Sequence, residues 1–283
     1  MVQFRREKIS NTVTRIYGVI GEQMYLIVGQ ERAALIDTGS GVGDLRQLIS
    51  SLTDKPVIVL VTHAHWDHAM GTAQFEEVYM SQLDQDTYRD FCMNCSIQNR
   101  METLTAYPPS ARAPKFEEIT ENDYIPARSS ERFHNLEDGD VFDLGGITLE
   151  AIAFAGHSKG SMMFLFREER RLFASDACAY CTMLQADSCL SVSSYERNLK
   201  AVIGRLNNRY DYVYAAHGRQ DPPVELFETV LQVCREIIEG TDDALPFGVL
   251  GTSGCLAKAI AQDFTRLDGR YGNIVYDPNR IME

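Results

Sequence analysis

The stretch Val57-Ile58-Val59-Leu60-Val61, followed at once by Thr62-His63-Ala64-His65-Trp66-Asp67-His68, decides how this chain is read. Five consecutive apolar residues after Lys55-Pro56, four of them β-branched, have the length and composition of a strand buried on both faces. In extended backbone, side chains two apart point the same way, so His63, His65 and Asp67 project together from the loop that leaves this strand. His68 lies beside them where the chain turns. Imidazole nitrogen and carboxylate oxygen are ligand types that hold zinc and similar divalent ions, and loops at the carboxyl ends of buried strands are where α/β folds place their sites. The chain has only six histidines, and three of them fall within these six residues. A chance or purely structural cluster is therefore a poor account of them.

Outward from this stretch, the amino-terminal side reads as short strands at Thr12 to Tyr17, Met24 to Val28 and Ala33 to Ile36, the last ending in the turn Asp37-Thr38-Gly39. Asp44 to Leu52 carries Leu45, Leu48, Ile49 and Leu52 at helical spacing, so a strand, helix, strand unit leads into the histidines. On the carboxyl side Val78 to Met80 is a further short strand. Residues 82–134 then run polar, charged and weakly periodic, with Pro108-Pro109, Pro114 and Pro126, and read as an insertion. β patterning returns at Val141 to Leu144, Ile147 to Phe154, Met162 to Phe166, Leu172 to Ala174 and Tyr212 to Ala215, with a helix over Tyr195 to Leu206. Pro223 to Glu239 predicts another helix, since its apolar stripe ends at Gly240. A further helix and a last strand, Asn273 to Tyr276, are expected after it. Strand-rich halves separated by helices predict two packed sheets with helices outside.

Composition narrows the function. Forty acidic against 27 basic residues give a net charge of -13, which opposes binding to a nucleic-acid backbone. No apolar run approaches a membrane span and no export signal precedes the first strand, so a soluble, cytoplasmic protein is expected, acting on a small molecule without nucleic acid or membrane as partner. A homodimer is compatible with the sequence. Seven cysteines, an odd number, argue for reduced thiols over a disulfide framework. Cys92 with Cys95 and Cys178 with Cys181 invite a zinc-ribbon or redox reading, but each pair lacks the usual turn glycines.

His63-x-His65-x-Asp67-His68 resembles, without a substitution, the His-x-His-x-Asp-His signature of the metallo-β-lactamase fold superfamily. Asp37-Thr38-Gly39, Gly156-His157-Ser158, Ser175-Asp176 and Ala216-His217-Gly218 resemble that family's later landmarks, in its order. The resemblance implies an α+β fold, the αββα sandwich, as a single domain over residues 1–283. The inserted helical and loop segment at about 82–134 would lie over the active site, and a helical extension would begin at about 241. It implies two divalent ions, zinc first and iron or manganese as alternatives. One would be held by His63, His65 and His157, the second by Asp67, His68 and His217, with Asp176 between them. Ala155 and Met70 stand where many members have proline and glycine, and neither position is a ligand.

Two ions about 3.5 to 4 Å apart can share a water and lower its pKa toward neutrality, which makes hydrolysis the natural outcome. Asp67 would orient that water and relay its proton, while Tyr180, four residues past Asp176, could reach a substrate oxygen, as a tyrosine does in the acyl-homoserine lactonases that the chain partly resembles. A small ester, thioester or lactone is the leading substrate class. Thioester cleavage of the glyoxalase II type would ask for a basic carrier pocket, for which Lys258, Arg266 and Arg270 are the candidates. The alternatives are a phosphodiesterase and an iron-dependent oxidoreductase such as a sulfur dioxygenase. A flavodiiron enzyme is disfavoured by His65 and by the absence of a flavodoxin domain after Tyr276. His134 reads as structural or surface, and Trp66 as a wall of the loop.

Overall fold

A computed structural model describes residues 2–106, 119–218, 220–249, 252–261 and 265–283, so Pro108-Pro109 and Pro114 lie outside the described residues. Where the sequence suggests one domain, contacts divide the chain into two compact units, Met1–Ala151 and Ile152–Glu283.

The first unit contains β1 (Arg5–Lys8), β2 (Val13–Tyr17), β3 (Gln23–Val28), β4 (Ala33–Ile36), α1 (Leu45–Leu52), β5 (Val57–Leu60), α2 (Trp66–Ala69) and β6 (Glu77–Met80). It continues with α3 (Gln85–Tyr88), α4 (Ile97–Ala106), β7 (His134–Asn135), β8 (Val141–Asp143) and the start of β9 (Thr148–Ala153). Strands β1 to β7 form one sheet in sequence order, antiparallel as far as β4 and parallel from there. The change of direction follows from α1, a crossover helix that returns the chain to the same sheet edge. Asp44 caps α1 by accepting from Gln47 N at 2.8 Å, and the helix buries Leu45 and Ile49. They join Leu26, Leu35, Val59, Val61, Val78 and Met80 in one apolar core.

Register places the site. Ile36 pairs with Leu60, so β4 and β5 end side by side and deliver Asp37 and Thr62 to the same carboxyl edge.

Two strands here escape the sequence pattern. Strand β1 is Arg-Arg-Glu-Lys, all exposed, and a charged edge strand carries no apolar alternation. Strand β7 is two residues long, and His134 pairs in parallel with Tyr79 and stacks on its ring at 4.8 Å. Among the described residues of the insertion, α3 runs into a π-helical turn, Arg89–Met93, and α4 follows.

The second unit holds β10 (Met162–Phe166), β11 (Arg171–Phe173), β12 (Thr182–Leu184), α5 (Val192–Leu206), β13 (Tyr212–Tyr214), α6 (Leu226–Glu239), β14 (Leu245–Val249), β15 (Thr252–Leu256) and β16 (Ile274–Tyr276). One sheet orders β13-β11-β10-β9, and a second orders β12-β16-β15-β14. Helices α5 and α6 bury Tyr195, Leu199, Phe227, Val230 and Ile237 in a core with Ile152, Phe154, Met163 and Leu172.

The helical extension expected from about 241 is corrected: among the described residues this segment forms β14, β15 and β16. Gly248, Gly254 and Pro246 disfavour helix, and β16 instead completes a parallel ladder with β12, Thr182 against Ile274. Pro246 is tolerated because β14 is the edge strand of its sheet.

Candidate metal centre

In the first unit His63 lies three residues past the end of β5, and His65 sits at the amino-terminal cap of α2, whose single turn carries Asp67 and His68. The His63 ring centroid lies 4.7 Å from that of His65 and 4.0 Å from that of His68. His68 Nε2 is 3.7 Å from Asp67 Oδ2. The four signature side chains therefore converge, as the spacing predicts.

Asp37 orients two of them, His68 directly and His63 through Thr62. Its buried carboxylate accepts from Thr62 N at 2.8 Å, from Thr62 Oγ1 at 2.7 Å and from His68 Nδ1 at 2.8 Å. A hydroxyl has one proton, so when Thr62 gives it to Asp37, the 3.1 Å contact between Thr62 Oγ1 and His63 Nδ1 assigns the donating proton to the imidazole. His63 and His68 are both set as Nδ1–H tautomers, with Nε2 as the Lewis-basic nitrogen turned to the cluster. Asp37 holds this position at φ 61°, a left-handed conformation that Asp tolerates better than most residues. Thr38 N and Oγ1 both donate to His68 O, at 2.7 and 3.0 Å. A Cβ on Gly71 would come within 2.3 Å of Thr38 O, which explains the glycine beside the signature.

Two buried acids complete this side, and the sequence reading passes over both. Asp84 accepts from Ala64 N at 3.0 Å and so pins the backbone between His63 and His65. Glu22 accepts from Ile20 N at 2.9 Å and Ser40 N at 3.1 Å, and burial pushes its carboxyl above the usual range, with the charge of Asp67 acting in the same direction. Neither lies in a recognisable pattern, and their roles come from folding alone. Trp66 is partly buried against the apolar clusters on both sides of it, a wall of the loop.

In the second unit β11 and β13 run parallel with Phe173 opposite Tyr214, so Asp176 and His217, each three residues further on, leave the same end of the sheet. Asp176 Oδ2 lies 3.8 Å from His157 Nε2 and 3.5 Å from His217 Nε2, between the two rings. His157 Nδ1 donates to Met183 O at 2.8 Å, and a carbonyl can only accept, so this histidine is an Nδ1–H tautomer too. Gly156 is required by packing, since a Cβ there would lie 2.2 Å from the Tyr195 ring. Tyr180 packs its ring against the turn at Gly218, and its hydroxyl makes a long bond to Asp221 O at 3.4 Å.

The donor chemistry fits divalent metal. Imidazoles fixed by a second-sphere carboxylate or carbonyl, with carboxylates beside their Nε2 atoms, are the arrangement that borderline-soft cations take. The cysteine pairs fit it less well. All described cysteines are free, and burial pushes the Cys178 thiol up to about 12 and raises those of Cys92 and Cys95, so they stay protonated at neutral pH. Two of the three basic residues proposed for a carrier pocket are engaged within the protein: Lys258 pairs with Glu236, Arg266 with Asp268, and Arg266 Nη1 also donates to Gly272 O at 2.7 Å.

Residues 17–80 match the family model of the metallo-beta-lactamase superfamily. Bovine (Bos taurus) acyl-coenzyme A thioesterase MBLAC2 is 27% identical over 167 residues, 54% of this chain and 57% of that protein. Atrochrysone carboxyl ACP thioesterase dmxR1 from a Cryptosporiopsis species is 28% identical over 182 residues, 60% of this chain and 44% of that protein. The chain thus spans about half the length of these curated relatives. Among solved structures, a metallo-beta-lactamase from Pontibacter korlensis superposes with a TM-score of 0.57 at 18% identity, covering 82% of this chain and 99% of the other. Residues 17–80 thus resemble the metallo-β-lactamase superfamily, and the chain as a whole has the fold of the solved metallo-β-lactamases.

Proposed function

We propose that this chain is a metal-dependent hydrolase of thioesters, within the wider class of small esters and lactones, and that it works in the cytoplasm. The observation that carries the metal part is the shared tautomer: His63, His68 and His157 each have Nδ1 committed to an acceptor, which leaves Nε2 as the ligating nitrogen. The thioester part is supported by the names of the relatives, an acyl-coenzyme A thioesterase and an ACP thioesterase.

In this reading His63, His65 and His157 hold one divalent ion and Asp67, His68 and His217 the second, with Asp176 between them, and zinc is the first choice. Asp176 Oδ2, 3.8 and 3.5 Å from the Nε2 atoms of two histidines in its own unit, supports a bridging role. Bound metal would supply Lewis acidity and lower the pKa of a coordinated water. Asp67 Oδ2, beside His68 Nε2, is placed to accept the proton that the attacking water loses and to return it to the departing thiolate. Tyr180, whose bond to Asp221 O is too long to be strong, can exchange that partner for an oxygen of the substrate. Asp37 holds the histidine edge through the reaction without touching substrate.

The test is elemental analysis of the purified protein together with turnover of thioester, ester, lactone and phosphodiester panels. About two equivalents of zinc with thioester cleavage are expected. One iron with oxygen consumption would show a dioxygenase instead, and preferred phosphodiester cleavage would move the substrate class. His63→Ala and Asp176→Ala should each lose metal and at least about 100-fold in kcat/KM; full activity and metal in either would overturn the site.

A further inference from the structure

The described residues expose eleven large apolar side chains, and four of these, Leu83, Phe91, Met93 and Ile97, come from the opening fifteen residues or so of the insertion. Leu83 is 68% exposed, Met93 43%, and Phe91 and Ile97 37% each. These four lie within one short stretch of the chain, and contiguous exposed apolar surface is uncommon unless something apolar binds there.

Phe91 differs from the other three in being held against the signature. Its ring centroid lies 4.8 Å from that of His65, the planes inclined at 48°. It stands in the π-helical turn Arg89–Met93, a rare geometry that recurs at functional sites because it re-aims one side chain. The turn is fastened on both sides. Tyr88 is buried, with its hydroxyl 3.0 Å from Arg128 O and 3.1 Å from Thr72 Oγ1. Cys92 is buried, and its Sγ points at Ala64 O, 3.7 Å away, on the residue between His63 and His65. A rigid, half-open aromatic ring fixed beside a ligand histidine offers an acyl chain a surface at little entropic cost.

We propose that Phe91 is a specificity-determining residue, an apolar shelf beside His65 that takes the acyl chain of the substrate and selects longer apolar acyl groups over acetyl. The occupant follows from position: a carbonyl reacting beside His65 carries its acyl chain past the ring in contact with that histidine. The identity of the cleaved bond rests on the thioester reading, whereas the shelf requires only that a ligand with an apolar chain and a carbonyl or carboxylate bind at the histidines.

The test compares the full-length protein, Phe91→Ala and Phe91→Leu on acetyl and octanoyl N-acetylcysteamine thioesters, with zinc content measured in each. The ratio of kcat/KM for octanoyl over acetyl should fall about tenfold in Phe91→Ala, mainly through KM, and recover for the most part in Phe91→Leu, as expected for a lost apolar contact. An equal fall for both substrates, together with loss of zinc, would make Phe91 a support for His65 and overturn the shelf. So would a wild type that does not prefer octanoyl. If no thioester is cleaved, the thioester reading fails and the shelf is decided by calorimetry: octanoate binding tighter than acetate, with that preference reduced about tenfold in Phe91→Ala, supports it. Equal affinity for the two carboxylates ends it.

Discussion

Asp37 shows how much of the candidate metal centre is prepared by a residue outside the proposed ligand set. One carboxylate fixes Thr62, through it the tautomer of His63, and directly that of His68. Outer partners of this kind are worth about 10 to 100-fold in metal affinity or activity. Asp37→Asn keeps the shape and tolerates the left-handed backbone at φ 61°, so the fold should survive the change. Zinc affinity, measured by competition with a chromophoric chelator, is expected to fall by about 10 to 100-fold while the circular dichroism spectrum stays native. Unchanged affinity would mean that the Thr62 and His68 contacts do not orient ligands. The side chains named by the signature were readable because their chemistry is local in sequence. Asp84 and Glu22 were not, because each accepts from a backbone amide about twenty residues away, Ala64 N and Ser40 N, that only folding brings to it.

At the scale of elements, local signals held where they were strong. Helix α6 ends at Gly240, whose φ of 68° is left-handed and whose amide donates to Ile237 O, as a helix stop requires. A Cβ on Gly240 would meet nothing within 4 Å, so the cost of Gly240→Ala is conformational alone. It should destabilise by about 1 kcal/mol. That is a fall in Tm of roughly 2 to 4 °C by calorimetry, and no loss would show that the helix end relaxes freely. Weak local signals gave way to pairing. The segment after Gly240 becomes strands because β16 has β12 to pair with, and β1 exists because β2 offers an edge, Arg5 opposite Tyr17 and Lys8 opposite Thr14.

Across the whole molecule, buried protonated groups set the response to alkali. Burial raises the thiol of Cys178 to about 12 and that of Cys189 to about 11, from about 9, and the Tyr88 hydroxyl from 10.0 to about 12. Above the unfolded values the unfolded chain has released protons that the folded chain still holds, so stability falls as pH rises. Tm should therefore be level through neutrality and decline steadily between about pH 9 and 12, and a flat Tm over that interval would contradict the burial of these groups. No helix among the described residues is long and apolar enough to cross a membrane.

The sequence by itself determined the clustering of the candidate ligands, because a strand followed by His-x-His-x-Asp-His encodes it in local geometry: period-two alternation and one helical turn suffice to converge four side chains. By their order it also named His157, Asp176 and His217 as candidates. Only the tertiary structure decided what prepares those ligands. Parallel register sets Asp37 beside Thr62 and Asp176 near His217, the π-helical turn sets Phe91 on His65, and burial keeps the cysteines protonated. These are effects of distance, dielectric and pairing between residues far apart in the chain, and no local pattern of residues can contain them.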